Sequence, residues 1–457
     1  MKKTLLLILL LLFITTIAGC EDALDPTDNT SYLDYNPIET DGIILEEQQR
    51  SFMFFWETSN RDPNSRGYGM SRDRFPNANG VASIASVGFA LAGLPIGVNN
   101  AWITYEEGFE HASKTMDTLL EMDHHEGFFF HFISMDTTER VWNSEVSVID
   151  TALLIVGALV SGQFFGGEVY EKAMTLYERI DWNWYLNDQT NEFYMSYKPE
   201  DGYHTGAWVG FAEQLIMYVL GAGSKTHNTG AAPYNVMKFK MINQRAPYVS
   251  EVDPSRNVDP FYFAPSGELF IHQYSHAFIA FNEVLDPDGL DWYENARRAT
   301  QAQYNFALDY QTKYRTVSAT SWGVSASDGP NGYHAYGTPP YFRDRLNFDG
   351  TVAPYASMAS IIFMAEEVID TAYYFKTLPN LWGPYGFKAA FNLGTHTGFA
   401  DARIDGKEPY YSPDVIGIDK GITMLMIENY RSGLIWDIFM DIEVIQDGLD
   451  VLGFTEK

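Results

Sequence analysis

The chain has 457 residues, and its 60 acidic side chains against 30 basic ones give a formal net charge of −30 at pH 7. That balance excludes a surface built for nucleic acid or anionic lipid headgroups, and it argues against polyanionic polysaccharides as partners. The single cysteine, Cys20, excludes an internal disulfide.

The first residues read as a targeting segment. Lys2 and Lys3 supply a positive start, Leu5 to Ile14 an apolar run, and Ile17-Ala18-Gly19-Cys20 a small-residue cleavage site ending in cysteine. Residues 1–19 are therefore expected to be a lipoprotein signal peptide. Acylation of Cys20 would anchor the chain to the bacterial cell envelope, since stable anchoring needs more than one acyl chain. Residues 20–41 are polar, acidic and Pro-containing, as in a tether. No later segment reads as a membrane span of ~20 apolar residues, so the lipid is expected to be the only membrane attachment. No Gly/Ser/Pro-rich linker interrupts residues 42–457, which are expected to form one monomeric domain.

Within that domain six stretches are apolar nearly all round. They begin near Val81, Glu145, Ala207, Phe270, Ala353 and Ile416, at intervals of about 63 residues apart from one longer step. A helix without a polar face is a buried helix. Between them lie amphipathic stretches such as YEEGFEHASKTMDTLLEM and DWYENARRATQAQYNFAL. Six buried helices alternating with six half-buried ones predict an all-α fold, an (α/α)6 toroid with an inner ring inside an outer one. Parallel inner helices would gather their N-termini and preceding loops at one mouth, where a site is to be sought.

The candidate residues cluster at those entrances. Asp150 stands in NSEVSVIDTALL, three residues after Ser147, a spacing that serves equally a helix cap and a catalytic acid or base. Glu213 is an isolated carboxyl in the apolar run GAWVGFAEQLIMYVLGAG, where burial would raise its pKa into the range of a general acid. Asp414 and Asp419 precede and enter the sixth stretch, Asp419 being the deeper and a candidate base. The long loop SWGVSASDGPNGYHAYG carries Asp328 and Tyr336 among turn residues and aromatics, which suits sugar binding. Trp142, Glu145 and Trp208 lie before inner stretches, and 15% of all residues are aromatic. Aromatic faces beside polar side chains fit a neutral sugar, whose C–H face stacks while its hydroxyls hydrogen-bond. His272 and His276 are four apart on an expected helix, flanking Gln273. The zinc motif would need glutamate where Gln273 stands, so Gln273 and His276 are expected to bind substrate and no metal or other cofactor is expected.

The segments SEVSVIDTALLIVGAL, WVGFAEQLIMYVLGAGSKTH, LFIHQYSHAFIAF, GVSASDGPNGYHAYG, LWGPYGFKAAFNL and IGIDKGITMLMIENYRSGLIW resemble the bacterial glucoamylase-like proteins, and within them glycoside hydrolase family 144. The resemblance spans nearly all of residues 50–455. It implies an (α/α)6 barrel, metal-independent inverting hydrolysis of β-1,2-glucan to sophoro-oligosaccharides or sophorose, and Glu213 as the acid within Trp208-x-Gly210-x-x-Glu213. Asp150 and Asp419 both stay open as the base. The chain departs from the pattern at Lys225 and in the polar segment 228–268, expected to shape the ends of a cleft. The alternatives are a lipid-anchored glycan-binding protein without catalysis, or a hydrolase of another linkage. A polysaccharide lyase on the same toroid would want a basic cleft, which the charge opposes.

Overall fold

A computed structural model describes residues 30–33, 35–342, 346–396 and 409–457. The expected signal peptide and Cys20 lie outside the described residues. The chain opens with amphipathic α1 (Gly42–Thr58) and apolar α2 (Ile84–Asn99), and repeats that alternation through α3 (Tyr105–Glu121), α4 (Val148–Phe165), α5 (Gly167–Glu178) and α6 (Leu215–Gly223). An added helix, α7 (Ala232–Lys240), interrupts the pattern. It resumes with α8 (Trp292–Tyr310), α9 (Pro354–Met358), α10 (Ala365–Thr377) and α11 (Gly417–Arg431), and closes on α12 (Leu434–Met440) and α13 (Glu443–Leu452). The strands are short and form local ribbons. The architecture is the predicted helical toroid.

Burial separates the two rings. Every residue of α2 from Ile84 to Gly97 is buried, whereas α3 buries one face and presents the other to water. Thr104 and Glu107 close the α3 N-terminus with a reciprocal capping box, fixing where the outer helix begins. α4 is long and apolar enough to cross a membrane, against the expectation that no such segment follows the signal, but most of it is buried inside the toroid. Where α2 and α4 touch, glycines let backbone meet backbone. A Cβ on Gly157 would stand 1.9 Å from the Gly88 carbonyl oxygen, so any side chain there would force the two helices apart. α1 packs on α11 through a buried ion pair, Lys420 Nζ to Glu47 Oε1 at 2.6 Å.

The inner ring departs from prediction at its third, fourth and fifth members. The third helix begins at Leu215 rather than near Ala207, because Gly210 adopts φ +74° and breaks the helical path. Gln244 then holds the backbone of Phe211 from both sides, accepting from its N–H and donating to its carbonyl, each at 2.8 Å. The fourth stretch is two 3-10 turns, Phe270–His272 and Ser275–Ala277. α9 is only five residues long. Side chains stitch these pieces together: Ser275 Oγ donates to the Glu213 carbonyl and accepts from Ile216 N–H, and Gln273 Nε2 donates to Ala356 O and Ser360 Oγ. The last amphipathic stretch breaks between Met440 and Glu443 into two helices.

Two other expectations are refined. The described part of the tether lies against the domain, with Tyr32 donating to Asp441 and Tyr35 to Glu428. Segment 228–268 contains α7 and an antiparallel hairpin, Arg245–Tyr248 with Val258–Tyr262, which packs on α8 through Asn295.

Candidate active site

Glu145, Ser147, Asp150, Trp208, Glu213, Phe270, Tyr355 and Ile418 come from five inner-ring entrances and part-line one cavity of about 480 Å3. His131 and Met195 contribute further wall, and Tyr333 of the hairpin Ala326–Gly329/Gly332–Ala335 covers one side. The N-terminal ends of the inner stretches thus share a mouth, as parallel packing requires.

Asp150 sits in the first turn of α4. Ser147 caps the helix: its Oγ accepts from the Asp150 N–H at 3.2 Å and donates to Asp150 Oδ2 at 2.5 Å, while the Ser147 N–H goes to the Phe129 carbonyl and not to the Asp150 carboxylate, so the reciprocal half of a capping box is absent. The other carboxylate oxygen, Oδ1, faces His131 Nε2 at 3.6 Å. The opposite ring nitrogen, Nδ1, is 3.0 Å from Glu145 Oε1. His131 is therefore gripped between two carboxylates, and its ring stacks on Phe132 with centroids 3.8 Å apart. Burial opposes its charge, but Asp150, Glu145 and then Asp73 outweigh that and raise the imidazole to about 9. The same contact lowers the Glu145 carboxyl.

Glu213 lies in the turn before α6, not on the helix, and that turn carries its carboxyl into the cavity. The side chain is half-buried and takes no hydrogen bond from another described residue. Loss of water around it, then the negative charges of Asp150 and Glu268, push its pKa up to about 8, with His131 acting the other way. A carboxylic acid that stays protonated at neutral pH beside an open cavity is equipped to donate a proton.

Asp419 is brought close but not into the cavity. It is buried in the first turn of α11, and one carboxylate oxygen has no partner. Burial and the neighbouring Asp328 hold its carboxyl well above the usual range, against Lys420 and Arg74. Beside it, Arg74 pairs with Asp73 and Asp328 at 3.2 Å and with Asp414 at 3.4 Å. Ser412 donates to Asp328, and Asn77 donates to Asp414 through its backbone and side-chain nitrogens. Asp328 and Asp414, expected to meet sugar, are thus buried and already bonded.

Four more candidates do not line the cavity. Gln273 is fully buried, tying the fourth inner stretch to the fifth. His276 is buried against the Trp292 carbonyl, and burial lowers its ring to about 4. The 3-10 turns, which replace the expected helix, send both side chains into the core. Tyr336 is buried with its hydroxyl 3.2 Å from Asp349. Trp142 is largely exposed and stands edge-on to Phe132. Sequence reasoning missed His131, Asp73 and Arg74. Asp73 and Arg74 lie in the segment ahead of α2, so the rule that pointed to Glu145 also covers them; His131 lies in the loop after α3, outside that rule. Among the described residues no group of three or more His, Cys, Asp or Glu side chains could hold a metal ion.

The class is that of (α/α)6 toroids, here with acidic side chains gathered at one mouth. A family model described as "Putative glucoamylase" matches residues 205–443, over half of the chain, and the chain belongs to that family. A crystal structure from Bacteroides uniformis under the same description superposes with a TM-score of 0.78 at 26% identity, covering 92% of this chain and 99% of that one. The endo-β-1,2-glucanase of Chitinophaga pinensis, solved with sophorotriose and glucose, gives 0.77 at 24% identity over 92% and 99% of the two chains. The exo β-1,2-glucooligosaccharide sophorohydrolase (non-reducing end) of Parabacteroides distasonis is 24% identical, the match covering 90% of this chain. The chain spans 58% of the length of that curated relative.

Proposed function

We propose that this protein is a glycoside hydrolase that cleaves a neutral β-glucan, β-1,2-glucan in particular, with inversion and without a metal. The observation that carries the reading is Glu213, a half-buried carboxyl open to the cavity, held protonated up to about pH 8 and facing the His131–Glu145–Asp150 group. Glu213 gives its proton to the departing glycosidic oxygen. A carboxylate standing apart from it draws a proton from the attacking water, and we assign that role to Asp150, which lines the cavity, ahead of the buried Asp419. Trp208, Tyr274, Tyr333 and Tyr355 supply aromatic faces and hydroxyls for a sugar chain. The names of the glucanase relatives support the β-1,2 linkage, and sophorose or sophoro-oligosaccharides are the products proposed.

Incubation with β-1,2-, β-1,3-, β-1,4- and β-1,6-glucans, with products sized and their anomers followed by proton NMR, tests this directly. Short products from β-1,2-glucan alone, the α-anomer appearing first, are expected. First-formed β-anomer would mean a covalent intermediate and a different pair of carboxyls. Extensive chelation should leave the rate unchanged. The enzyme is further proposed to be a monomer tethered to the cell envelope through acylated Cys20. Cys20→Ser should then release it from the membrane fraction without altering hydrolysis.

A further inference from the structure

We propose that His131 is the positioning residue of the hydrolytic site: a cationic clamp that holds the carboxylates of Glu145 and Asp150 side by side on the cavity wall. The inference rests on the glucanase reading of the site but uses geometry independent of it. The two ring nitrogens are divided between two carboxylates, Nδ1 at 3.0 Å from Glu145 Oε1 and Nε2 at 3.6 Å from Asp150 Oδ1. A neutral imidazole has one N–H and satisfies one such partner; the imidazolium donates on both sides. The ring is also fixed in plane by Phe132, stacked at 18° between ring planes. Asp150 has no freedom left on its other oxygen, which Ser147 occupies at 2.5 Å. The clamp therefore sets the direction of one Asp150 oxygen and one Glu145 oxygen relative to Glu213 in the same cavity.

Charged groups reach the clamp from every side. Asp73 approaches from the segment ahead of α2, Glu145 and Asp150 from the entrance of α4, and Lys198 bears on Glu145 from the neighbouring strand. Glu213 feels Asp150 and Glu268 raising it and His131 lowering it. The cation thus works on both partners of the reaction. It orients the carboxylate pair, and it moderates how tightly Glu213 keeps its proton. Charge, not bulk, is the property required at position 131.

Two measurements decide the matter. In the first, the ten histidines are labelled at the ring carbon Cε1, and His131 is assigned by its loss in His131→Gln. Its ring should titrate near 9, and nearer the ordinary 6.5 in Asp150→Asn and Glu145→Gln. A ring already titrating near 6.5 in the unaltered protein would overturn the clamp. This readout needs no substrate, so it stands even if no glucan in the panel is cleaved, an outcome that would defeat the functional reading alone. In the second, kcat/KM on β-1,2-glucan is followed against pH. His131→Gln should lose about 10²-fold, the scale of a misplaced reacting group. Its alkaline limb should move to higher pH as Glu213 loses the cation. His131→Lys, which keeps a charge, should recover part of the rate and bring the limb back. A His131→Gln profile scaled down uniformly with no shift, and no recovery with lysine, would reduce His131 to a packing residue.

Discussion

Two acidic clusters lie side by side at the mouth of this toroid, and they handle the same problem in opposite ways. In the first, Glu145 and Asp150 share the titratable cation of His131 on an open cavity wall, with Glu213 unbonded nearby. In the second, Asp73, Asp328 and Asp414 surround the permanent cation of Arg74, with Asp419 buried beside them. In each cluster one carboxyl, Glu213 or Asp419, is pushed toward its protonated form, first by loss of water around it and then by the surplus of negative neighbours. The open cluster can exchange that proton with a substrate. The sealed cluster holds Asp328, which stands directly across the hairpin from Tyr333, and so fixes one side of the cavity. Exposure to the cavity, more than the number of carboxyls, separates a reacting group from a supporting one.

The largest effect should come from removing the proton donor. Glu213→Gln is expected to lose about 10²- to 10⁴-fold in kcat on β-1,2-glucan, the range typical of general acid catalysis, while remaining folded by circular dichroism. Retention of a tenth of the activity would move the acid elsewhere. The wild-type rate should fall above about pH 8, where Glu213 gives up its proton. Next, Asp150→Asn should be nearly inactive if the open cluster carries the chemistry. Asp419→Asn should keep most of the activity, because Asp419 is buried outside the cavity and an amide fills the same space. Steady-state rates for the pair, side by side, test the comparison most sharply. The reverse ranking would put the base in the sealed cluster.

Much of this was legible in the sequence, and the reasons are local. α2 and α4 were visible as helices because they are apolar around their whole circumference, and Asp150 because it follows a capping serine at the entrance. Glu213 stood out as an isolated carboxyl in an apolar run, but its helix was drawn too long. The break depends on Gly210 at positive φ and on Gln244, more than 30 positions away, which no local pattern reports. The fourth and fifth inner members read as helices from composition alone. Ser275, Gln273 and Ser360 hold them instead as short turns through bonds between segments. His131 sits in an apolar, aromatic stretch, and only the pairing of Phe132–Ser134 with Val81–Ser83, together with the backbone bond from His131 N–H to the Glu145 carbonyl, brings it to the mouth.

Removing the cation of the sealed cluster should register as stability more than chemistry. Arg74→Met leaves Asp73, Asp328 and Asp414 facing one another without compensation, and stranding such a partly buried group costs about 3 kcal/mol. A lower urea midpoint with an unchanged slope is the expected result. An unaltered midpoint would mean that solvent screens the cluster as well as Arg74 does.

A pH-dependent stability difference confined to the open cluster is expected as well. Glu213 has its pKa raised from 4.5 to about 8, so between those values the folded state holds a proton that the unfolded chain has released. By linkage, stability falls as pH rises through that window, and the whole cost is present above about pH 8. Glu213→Gln removes the titration. The variant should therefore melt at a higher temperature than wild type above about pH 8, by a margin that shrinks steadily on acidification and vanishes below about 4.5. His131 adds a slope of the same sign. Its ring rises from 6.5 to about 9, so its contribution is complete below 6.5 and disappears as pH passes 9, in the variant as in wild type. Melting curves of the two proteins across pH 4 to 9 isolate the Glu213 component by difference. A margin independent of pH would mean that the carboxyl titrates normally and is hydrated in the folded protein, and the open cluster would then lack its proton donor.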